Sequence, residues 1–492
     1  MRGPLHQSSA LPRAPFFRSA SRGFIATLLP AIVAGCAAPA LPTLPVAAPA
    51  QWRQAPGQTV AAPAPDLQSW WKALGDPQLD ALVEQALAQN LTLAQARSRL
   101  RQARILAGRD NMAYRPSVSA GARTLQDVSA TDTYFQASLD AVWELGLFGA
   151  RESIQRAGQA RLDTAAASTQ AARVSLVAEV VRSYADLRAA QVQQDLLQHM
   201  ADLDAQSLAL FSVQRQQRLG APEERAQAEI RIAQTRAQQS QPRQIAEHAA
   251  QGLAVLLGQA TPDAAWRTAS SWPPRSQPGL RDFRLQQVPT DLLRYRPEIR
   301  SAEADVLKSA AELGSATSEL YPRITLGASL LYAHNITQNR RTNTDNVPAL
   351  GPLIDIPLFD WGRRRAAVDA QKEALDASLL AYRQAVLEGV SETESALSAL
   401  QLSGERRQQL QTARDLLARR VDDQATLARL GLASRLDGLG AERAALQASM
   451  EVAAAEAAHT QAFVALYKAL GGAPIPADEA DGLASRTAQA AP

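Results

Sequence analysis

Two kinds of hydrophobic periodicity alternate along the chain, and each kind occurs twice. Apolar residues three or four positions apart run from Leu82 to Ala103 and again from Leu292 to Ala310, which predicts helices. After Pro116 and again after Pro322, apolar positions alternate with polar ones, which predicts strands with one apolar face. The pattern therefore predicts a mainly α-helical protein with a small β part.

Four strands in two hairpins are expected. The clearest strand carries Phe135, Leu139 and Trp143 on one face, and residues 324–332 repeat its alternation. Weaker strands are expected at 117–125 and 350–358, the latter after a polar loop. Four strands cannot close a membrane barrel, which needs about eight, and an open sheet edge in lipid leaves backbone groups without partners. The pattern thus predicts a β-barrel shared by several chains, each giving four strands, and three copies would give it twelve.

A very long helix is expected after each hairpin. No proline occurs in residues 117–221 or 358–473. A helix over 151–219 would reach roughly 100 Å at about 1.5 Å per residue. Its leucines recur every seven residues, which is typical of coiled coils: Leu196, Leu203 and Leu210. We therefore expect a long α-helical coiled-coil barrel to continue the β-barrel.

The second half of the chain repeats the plan of the first. Each long helix ends at a glycine-containing turn, Leu219-Gly220 in the first half and Leu430-Gly431 in the second. A returning helix then leads to a Leu-Gly signature at 257–258 and at 470–471. Because a self-similar chain builds the same unit twice, we predict two internal repeats.

The N-terminus has the composition of a secretory signal. Residues 1–35 join basic residues to an apolar stretch that is too short to cross a bilayer. Residues 33–36, Val-Ala-Gly-Cys, resemble a bacterial lipobox, whose cysteine carries the lipid, so Cys36 is the predicted lipid attachment site. In lipoproteins a residue other than Asp after the cysteine implies sorting to the outer membrane, and Ala37 fits.

Composition and repeats together divide the chain into six predicted segments. They are a lipoprotein signal peptide (1–35), a lipid-anchored tether rich in Pro and Ala (36–75), the first repeat (76–258, strands at about 117–145), a linker (259–288), the second repeat (289–472, strands at about 322–359) and a flexible tail (473–492).

Charge and residue spacing exclude several classes of function. The formal net charge of +3 includes four arginines in the first 35 residues, so the mature chain would carry 3 − 4 = −1 and has no basic footprint for nucleic acid. The five histidines show no metal-ligand spacing. No phosphate-binding loop or nucleophile elbow is present. We therefore expect neither an enzyme nor a cofactor.

Several segments together resemble the TolC family of outer-membrane efflux proteins, in its lipidated OprM/NodT-like subgroup. They are Pro289-Thr290-Asp291-Leu292-Leu293, Arg296-Pro297-Glu298-Ile299, Tyr321-Pro322-Arg323-Ile324 and residues 143–149. The resemblance implies a homotrimer in the outer membrane of a Gram-negative bacterium that extends into the periplasm. It would passively conduct drugs or other small molecules from a periplasmic adaptor and an inner-membrane pump, most often of the resistance-nodulation-division type.

The resemblance also implies two kinds of site at the far ends of the long helices. Adaptor-docking tips would lie at Leu219, Gly220, Leu430 and Gly431. A periplasmic gate would include Leu436 and Arg443, which match the family pattern, whereas Gly440 departs from its usual Asp and Asp437 is a candidate replacement. The alternative is that Leu436 packs the coiled coil while Asp437 and Arg443 are ordinary solvated charges.

Other functions remain open at this level. An exit duct for type I protein secretion would share the architecture, and a periplasmic coiled-coil scaffold lipoprotein would share the lipobox and the heptads. The scaffold leaves the alternating strands unexplained. A lipid-anchored hydrolase lacks a recognisable arrangement of catalytic residues.

Overall fold

The computed structural model describes residues 66–126, 133–218, 222–267, 295–336 and 345–472, together with residues 44, 52, 280, 293 and 474. Cys36, Leu219 and Gly220, and most of the predicted tether and linker, lie outside the described residues. The chain divides into two compact units. The described part of one unit spans Gly108–Ala157 and Lys308–Leu375, and the other unit contains most of the helical residues.

One antiparallel sheet of four strands lies in the first unit. Its strands are β1 Ser117–Gln126, β2 Thr133–Glu144, β3 Arg323–Asn335 and β4 Asp345–Asp355, adjacent in that order. The two predicted hairpins are thus confirmed and are joined through β2 and β3. The boundaries 350–358 predicted for the last strand are wrong, because β4 begins five residues earlier, at Asp345, and ends at Asp355.

The register gives the sheet one apolar and one polar face. Leu139 of β2 lies between Ala120 of β1 and Leu330 of β3, and all of these side chains are on the same face. On the opposite face the carboxylate of Asp140 accepts hydrogen bonds from Ser138, at 2.7 Å, and from Ser329, at 2.6 Å. The predicted alternation is confirmed, and the apolar face is exposed.

The helices repeat in the two halves of the chain. Before the hairpins come α1 Pro77–Gln89 and α2 Leu91–Asn111 in the first half and α7 Pro297–Ser318 in the second. After the hairpins come α3 Ala150–Gln216 and α8 Arg363–Arg429, each of 67 residues. The chain then returns through α4 Pro222–Gln238, α5 Ser240–Leu256 and the short α6 Ala264–Arg267, or through α9 Arg435–Ala469.

The structure departs from the predicted helices in two places. The first returning helix is broken between α4 and α5, whereas α9 runs unbroken for 35 residues. The helical stretch before the first hairpin is likewise two helices, because Asn90 caps the start of α2. Its Oδ1 accepts from the backbone N–H of Leu93 at 2.9 Å, and its Nδ2 donates to the carbonyl of Leu256 at 2.9 Å.

The buried face of α3 is displaced by one position from the leucines of the predicted heptads. Leu197 and Met200 are buried, whereas the predicted Leu196 and Leu203 are only half-buried. A straight helix drifts by about 20° per heptad relative to a strict seven-residue repeat, so the packed face moves to neighbouring positions along α3.

Aromatic residues fix the start of the fold to its end. Trp70 is buried and stacks on Tyr467 of α9, with ring centroids 5.3 Å apart. Gly472 lies against Trp70, and a Cβ there would come within 3.1 Å of the indole ring. Trp71 is buried beside Trp70, with the two rings edge to face, so both side chains pack the interior of the fold.

The Arg-Pro-Glu segment before α7 also has a structural role. Arg296 is buried, donates from Nη1 to the carbonyl of Gly389 at 3.2 Å, and pairs through Nη2 with Glu392. The backbone of α8 can approach because residue 389 has no side chain.

A hydrogen bond at the start of α1 provides a test of the packing. The Tyr184 hydroxyl is buried and donates to Asp76 Oδ2 at 2.6 Å, while Asp76 Oδ1 accepts from the N–H of Gln78 at 2.9 Å and caps α1. We expect Tyr184→Phe to destabilise the fold by about 1 to 2 kcal/mol, because the half-buried carboxylate of Asp76 loses a donor. Thermal unfolding followed by circular dichroism measures this loss. The same change at the exposed Tyr295 is the control, and equal effects would contradict the assignment.

Candidate functional site

Two adaptor-docking tips are predicted, and the structure describes one of them, the turn between α8 and α9. Gly431 has φ 73°, and its N–H and that of Leu432 donate back to Ala428 at 3.1 Å and Leu427 at 2.9 Å. This Schellman ending needs a left-handed residue at position 431, which glycine supplies without strain. Leu430 is 67% exposed beside it, and Leu432 is exposed as well. The turn thus presents two apolar side chains to the solvent.

A capping box starts α9 immediately after this turn. The N–H of Asp437 donates to Ser434 Oγ at 3.2 Å, and the N–H of Ser434 donates to Asp437 Oδ2 at 3.0 Å. The hydrogen bond that the Ser434 hydroxyl donates to Asp437 Oδ2, followed by the one from the Ser434 N–H, holds the pKa of Asp437 below its usual value of 3.8. The structure therefore places Asp437 as a helix cap.

The other residues of the predicted gate lie further along α9. Leu436 is half-buried, and Leu439 behind it is fully buried. Gly440 is exposed, with open space where a Cβ would lie. Arg443 reaches back to α3, where it meets a buried acid.

This buried acid is Asp204, whose side chain is 1% exposed. Arg443 donates from Nε to Asp204 Oδ1 at 3.0 Å, and Arg231 Nε lies 4.0 Å from the same oxygen. Thr235 donates from its hydroxyl to Oδ2 at 2.8 Å. One carboxylate therefore joins α3, α4 and α9, and both of its oxygens have donors. We call Asp204, Arg231, Thr235 and Arg443 the Asp204 cluster.

Sequence reasoning named Arg443 and missed the other three members. The available signal was the position of Asp204, seven residues after Leu197 and four after Met200, where the coiled-coil pattern requires an apolar residue. A charge at such a position is kept only when it is paired. The sequence could not show that Arg231, Thr235 and Arg443 are the partners of Asp204, because they lie on other helices.

An acidic groove lies beside the cluster. It has a volume of about 590 Å³ and is lined by α3, α8 and α9. Its acidic side chains are Asp202, Asp422 and Glu442, together with one His, and apolar side chains such as Leu446 line the rest. Arg435 Nη1 donates to Glu442 at 2.9 Å at its edge.

The described part of the chain offers no group of three or more His, Cys, Asp or Glu side chains arranged to hold a metal ion. Within the same residues, none of the helices combines the length and the apolar character that crossing a membrane requires.

A double-mutant cycle tests the Asp204 cluster. We expect Asp204→Asn to destabilise the protein by about 2 to 3 kcal/mol, because two arginines lose their counter-charge. Arg443→Gln should cost about 1 kcal/mol, since Arg443 is 35% exposed and Arg231 remains. The double variant should lose less than the sum by at least about 0.5 kcal/mol. Chemical denaturation followed by circular dichroism measures all three variants.

The control for this cycle is Glu442→Gln, which breaks the pair with the largely exposed Arg435. It should cost less than about 1 kcal/mol. Additive losses in the cycle would show that Asp204 and Arg443 act independently.

The capping box predicts a pH dependence. Because the pKa of Asp437 is lowered in the folded state, its contribution to stability is present above 3.8 and is lost as the pH falls below that value. We therefore expect Asp437→Asn to lower the melting temperature at pH 7. The difference in melting temperature between this variant and the original protein should become smaller below pH 3.8. The same substitution at the exposed Asp423 gives the background for losing one surface charge. A gap that does not change with pH would contradict the capping role.

Comparison with known proteins relates this architecture to established families. A sequence profile of the family described as outer membrane efflux protein matches residues 82–259 and 288–472. Pyoverdine export outer membrane protein OpmQ of Pseudomonas aeruginosa is 30% identical over 459 residues, covering 87% of this chain and 91% of OpmQ. Nodulation protein T of Rhizobium leguminosarum bv. viciae is 27% identical over 410 residues, covering 82% of each protein.

The architecture is also found in a solved structure. The outer-membrane channel OprN superposes with a TM-score of 0.73 at 30% identity, over 89% of this chain and 99% of OprN. The profile and these relatives confirm the resemblance found in the sequence, and with it the outer-membrane location and the role as channel component of a tripartite efflux pump. The chain therefore belongs to the outer membrane efflux protein family, and within it to the OprM/NodT-like proteins.

Proposed function

We propose that this protein is the passive exit duct of a pump that expels small molecules, and that three copies assemble to form it. The observation that carries this proposal is the pair of 67-residue helices, each following a β-hairpin. Each helix spans about 100 Å at about 1.5 Å per residue. Two such helices in each chain, related by the internal repeat, suit a wall of nearly equivalent long helices around a conduit.

The cargo and the anchor follow from different parts of the chain. One relative is named for pyoverdine export, which favours small molecules as cargo over proteins. An inner-membrane pump, most simply of the resistance-nodulation-division type, would supply the energy, so the duct itself needs neither catalysis nor a cofactor. We propose that Cys36 carries lipid and holds the N-terminus at the outer membrane.

The turn and the acidic groove are the proposed docking surface for the periplasmic adaptor. The exposed Leu430 and Leu432 offer apolar contacts at the turn, and Leu219-Gly220 is the proposed equivalent in the first repeat. The groove adds Asp202 and Asp422, so an adaptor helix that carries Lys or Arg beside apolar residues would fit it.

The gate is proposed to depend on the Asp204 cluster together with Leu436. Because Arg443 joins α9 to α3 through a buried carboxylate, movement of α9 away from α3 must break this pair. Asp437 already caps α9, so we assign the acidic part of the gate to Asp204. The cluster would hold the duct shut until the adaptor binds.

Purification with its partners tests this function. The full chain, tagged at its C-terminus, is expressed in a Gram-negative strain that keeps an adaptor and a pump but lacks its own channel. After mild cross-linking, we expect a trimeric mass that carries both partners, and restored efflux of a fluorescent dye. A monomer that remains in solution without detergent would overturn the proposal and favour the scaffold.

Charge reversal tests the groove within the same experiment. Asp202→Lys with Asp422→Lys should lower adaptor capture by about tenfold, equivalent to about 1.4 kcal/mol, and leave the trimer intact. Glu373→Lys, an exposed acid of α8 that does not line the groove, is the matched control. Equal capture by both variants would exclude the groove as the docking surface.

A further inference from the structure

The turn that follows each hairpin has the same backbone in both repeats. Phe148 and Gly149 have φ values of 55° and 80°, and Trp361 and Gly362 have 57° and 81°. The N–H groups two residues after each aromatic donate in the same pattern, Ala150 to Leu147 and Arg363 to Asp360, both at 3.2 Å. Phe148 and Trp361 are therefore equivalent residues, and both are held in a left-handed conformation that is rare outside glycine.

The two aromatic side chains nevertheless have different surroundings. Phe148 is half-buried and stacks on Tyr321, with ring centroids 4.9 Å apart and an angle of 13° between the rings. Trp361 is 90% exposed, and within the described residues its one aromatic neighbour is Phe359 of the same turn. The same strained turn thus positions one ring in a contact and the other in solvent.

The order of the strands explains the difference. Phe148 follows β2, and Tyr321 lies two residues before β3, which pairs with β2. Trp361 follows β4, which is an edge of the described sheet, so no next strand brings a tyrosine to it. The residue that corresponds to Tyr321 is Tyr114, which precedes β1 at the opposite edge.

Resting on the homotrimer of the proposed function, we propose that Trp361 of each copy packs on Tyr114 of the next copy, as Phe148 packs on Tyr321 within the chain. The interface between the two repeats would then continue from copy to copy. β4 of one copy would lie beside β1 of the next, just as β2 lies beside β3. The occupant of the exposed Trp361 surface is thus a second copy of this chain.

Tyr114 is already held in place to receive such a contact. Its ring lies against Gly146, where a Cβ would come within 2.7 Å, and its carbonyl accepts a hydrogen bond from Trp143 Nε1 at 3.1 Å. Little side-chain entropy remains to be lost when a second ring packs against it.

Exposure elsewhere agrees with an interface at these two edges. Met112, two residues before Tyr114, is 52% exposed, and Leu358, three residues beyond the end of β4, is 89% exposed. The equivalent positions within the chain are the end of α7, before β3, and the start of α3, after β2. Their side chains are mostly buried or half-buried. Apolar side chains therefore lie uncovered where the repeat predicts a contact between copies.

Cross-linking of paired cysteines tests the contact. Full-length protein with Trp361→Cys and Tyr114→Cys is treated in native membranes with a short, flexible bismaleimide. We expect covalent dimers and trimers on a denaturing gel. The matched pair Phe148→Cys with Tyr321→Cys should link within one chain, leaving the denatured mass unchanged. Each single variant, which retains Cys36, measures the background.

The outcomes separate this contact from the trimer itself. A trimer by native mass spectrometry in which the Phe148–Tyr321 pair links but the Trp361–Tyr114 pair does not would overturn the contact and leave the proposed function intact. A protein that is monomeric in detergent would overturn both. Links between copies from Trp361→Cys alone would mean that this residue meets its own equivalent, which also contradicts the proposal.

Single substitutions give a second readout. Trp361→Ala should make the trimer dissociate at a lower temperature in detergent, while Trp361→Phe should keep the original value, because the stacked ring is retained. Truncation of a single exposed side chain that makes no contact seldom changes the stability of a protein. A trimer unaffected by Trp361→Ala would therefore assign the residue to lipid or solvent and overturn the contact.

Discussion

Backbone hydrogen bonding at the two edges of the four-stranded sheet is the constraint on which the rest of the structure depends. In the described chain, β1 and β4 each have one side without a strand partner, and the apolar face between them is exposed. In water such a sheet invites aggregation, and in lipid each unpaired group costs several kcal/mol. Pairing between copies removes both penalties. We therefore regard the proposed trimer as the condition under which this sheet is stable.

Duplication of one structural unit gives a direct way to meet that constraint. The pairing of β2 with β3 and the stacking of Phe148 on Tyr321 already join two repeats within one chain. The same geometry can then be used again between chains, provided that the free edges keep the residues that make the contact. Trp361 and Tyr114 are such residues. The two long helices of 67 residues are equal for the same reason, since a continuous wall requires elements of equal length.

In the helical unit, the proposed gate depends on a buried charge rather than on apolar packing. Burying the carboxylate of Asp204 between helices is favourable only while Arg443, Arg231 and Thr235 satisfy it. An apolar side chain at this position would hold the helices together permanently. A paired charge holds them conditionally, because the pair can be exchanged for water when the helices separate. This difference suits an end that must open.

The sequence by itself determined the elements, the repeat and the family, because periodicity, glycine turns and local motifs are properties of neighbouring residues. It placed Leu139 and Trp143 on one face of a strand and named Arg443 as a candidate gate residue. Only the tertiary structure decided what such residues meet: that Arg443 pairs with Asp204, that Asp437 takes part in a capping box, and that Phe148 stacks on Tyr321 while Trp361 is exposed. The physical reason is that these contacts join residues far apart in the chain, and their partners depend on how helices and strands pack rather than on local preference.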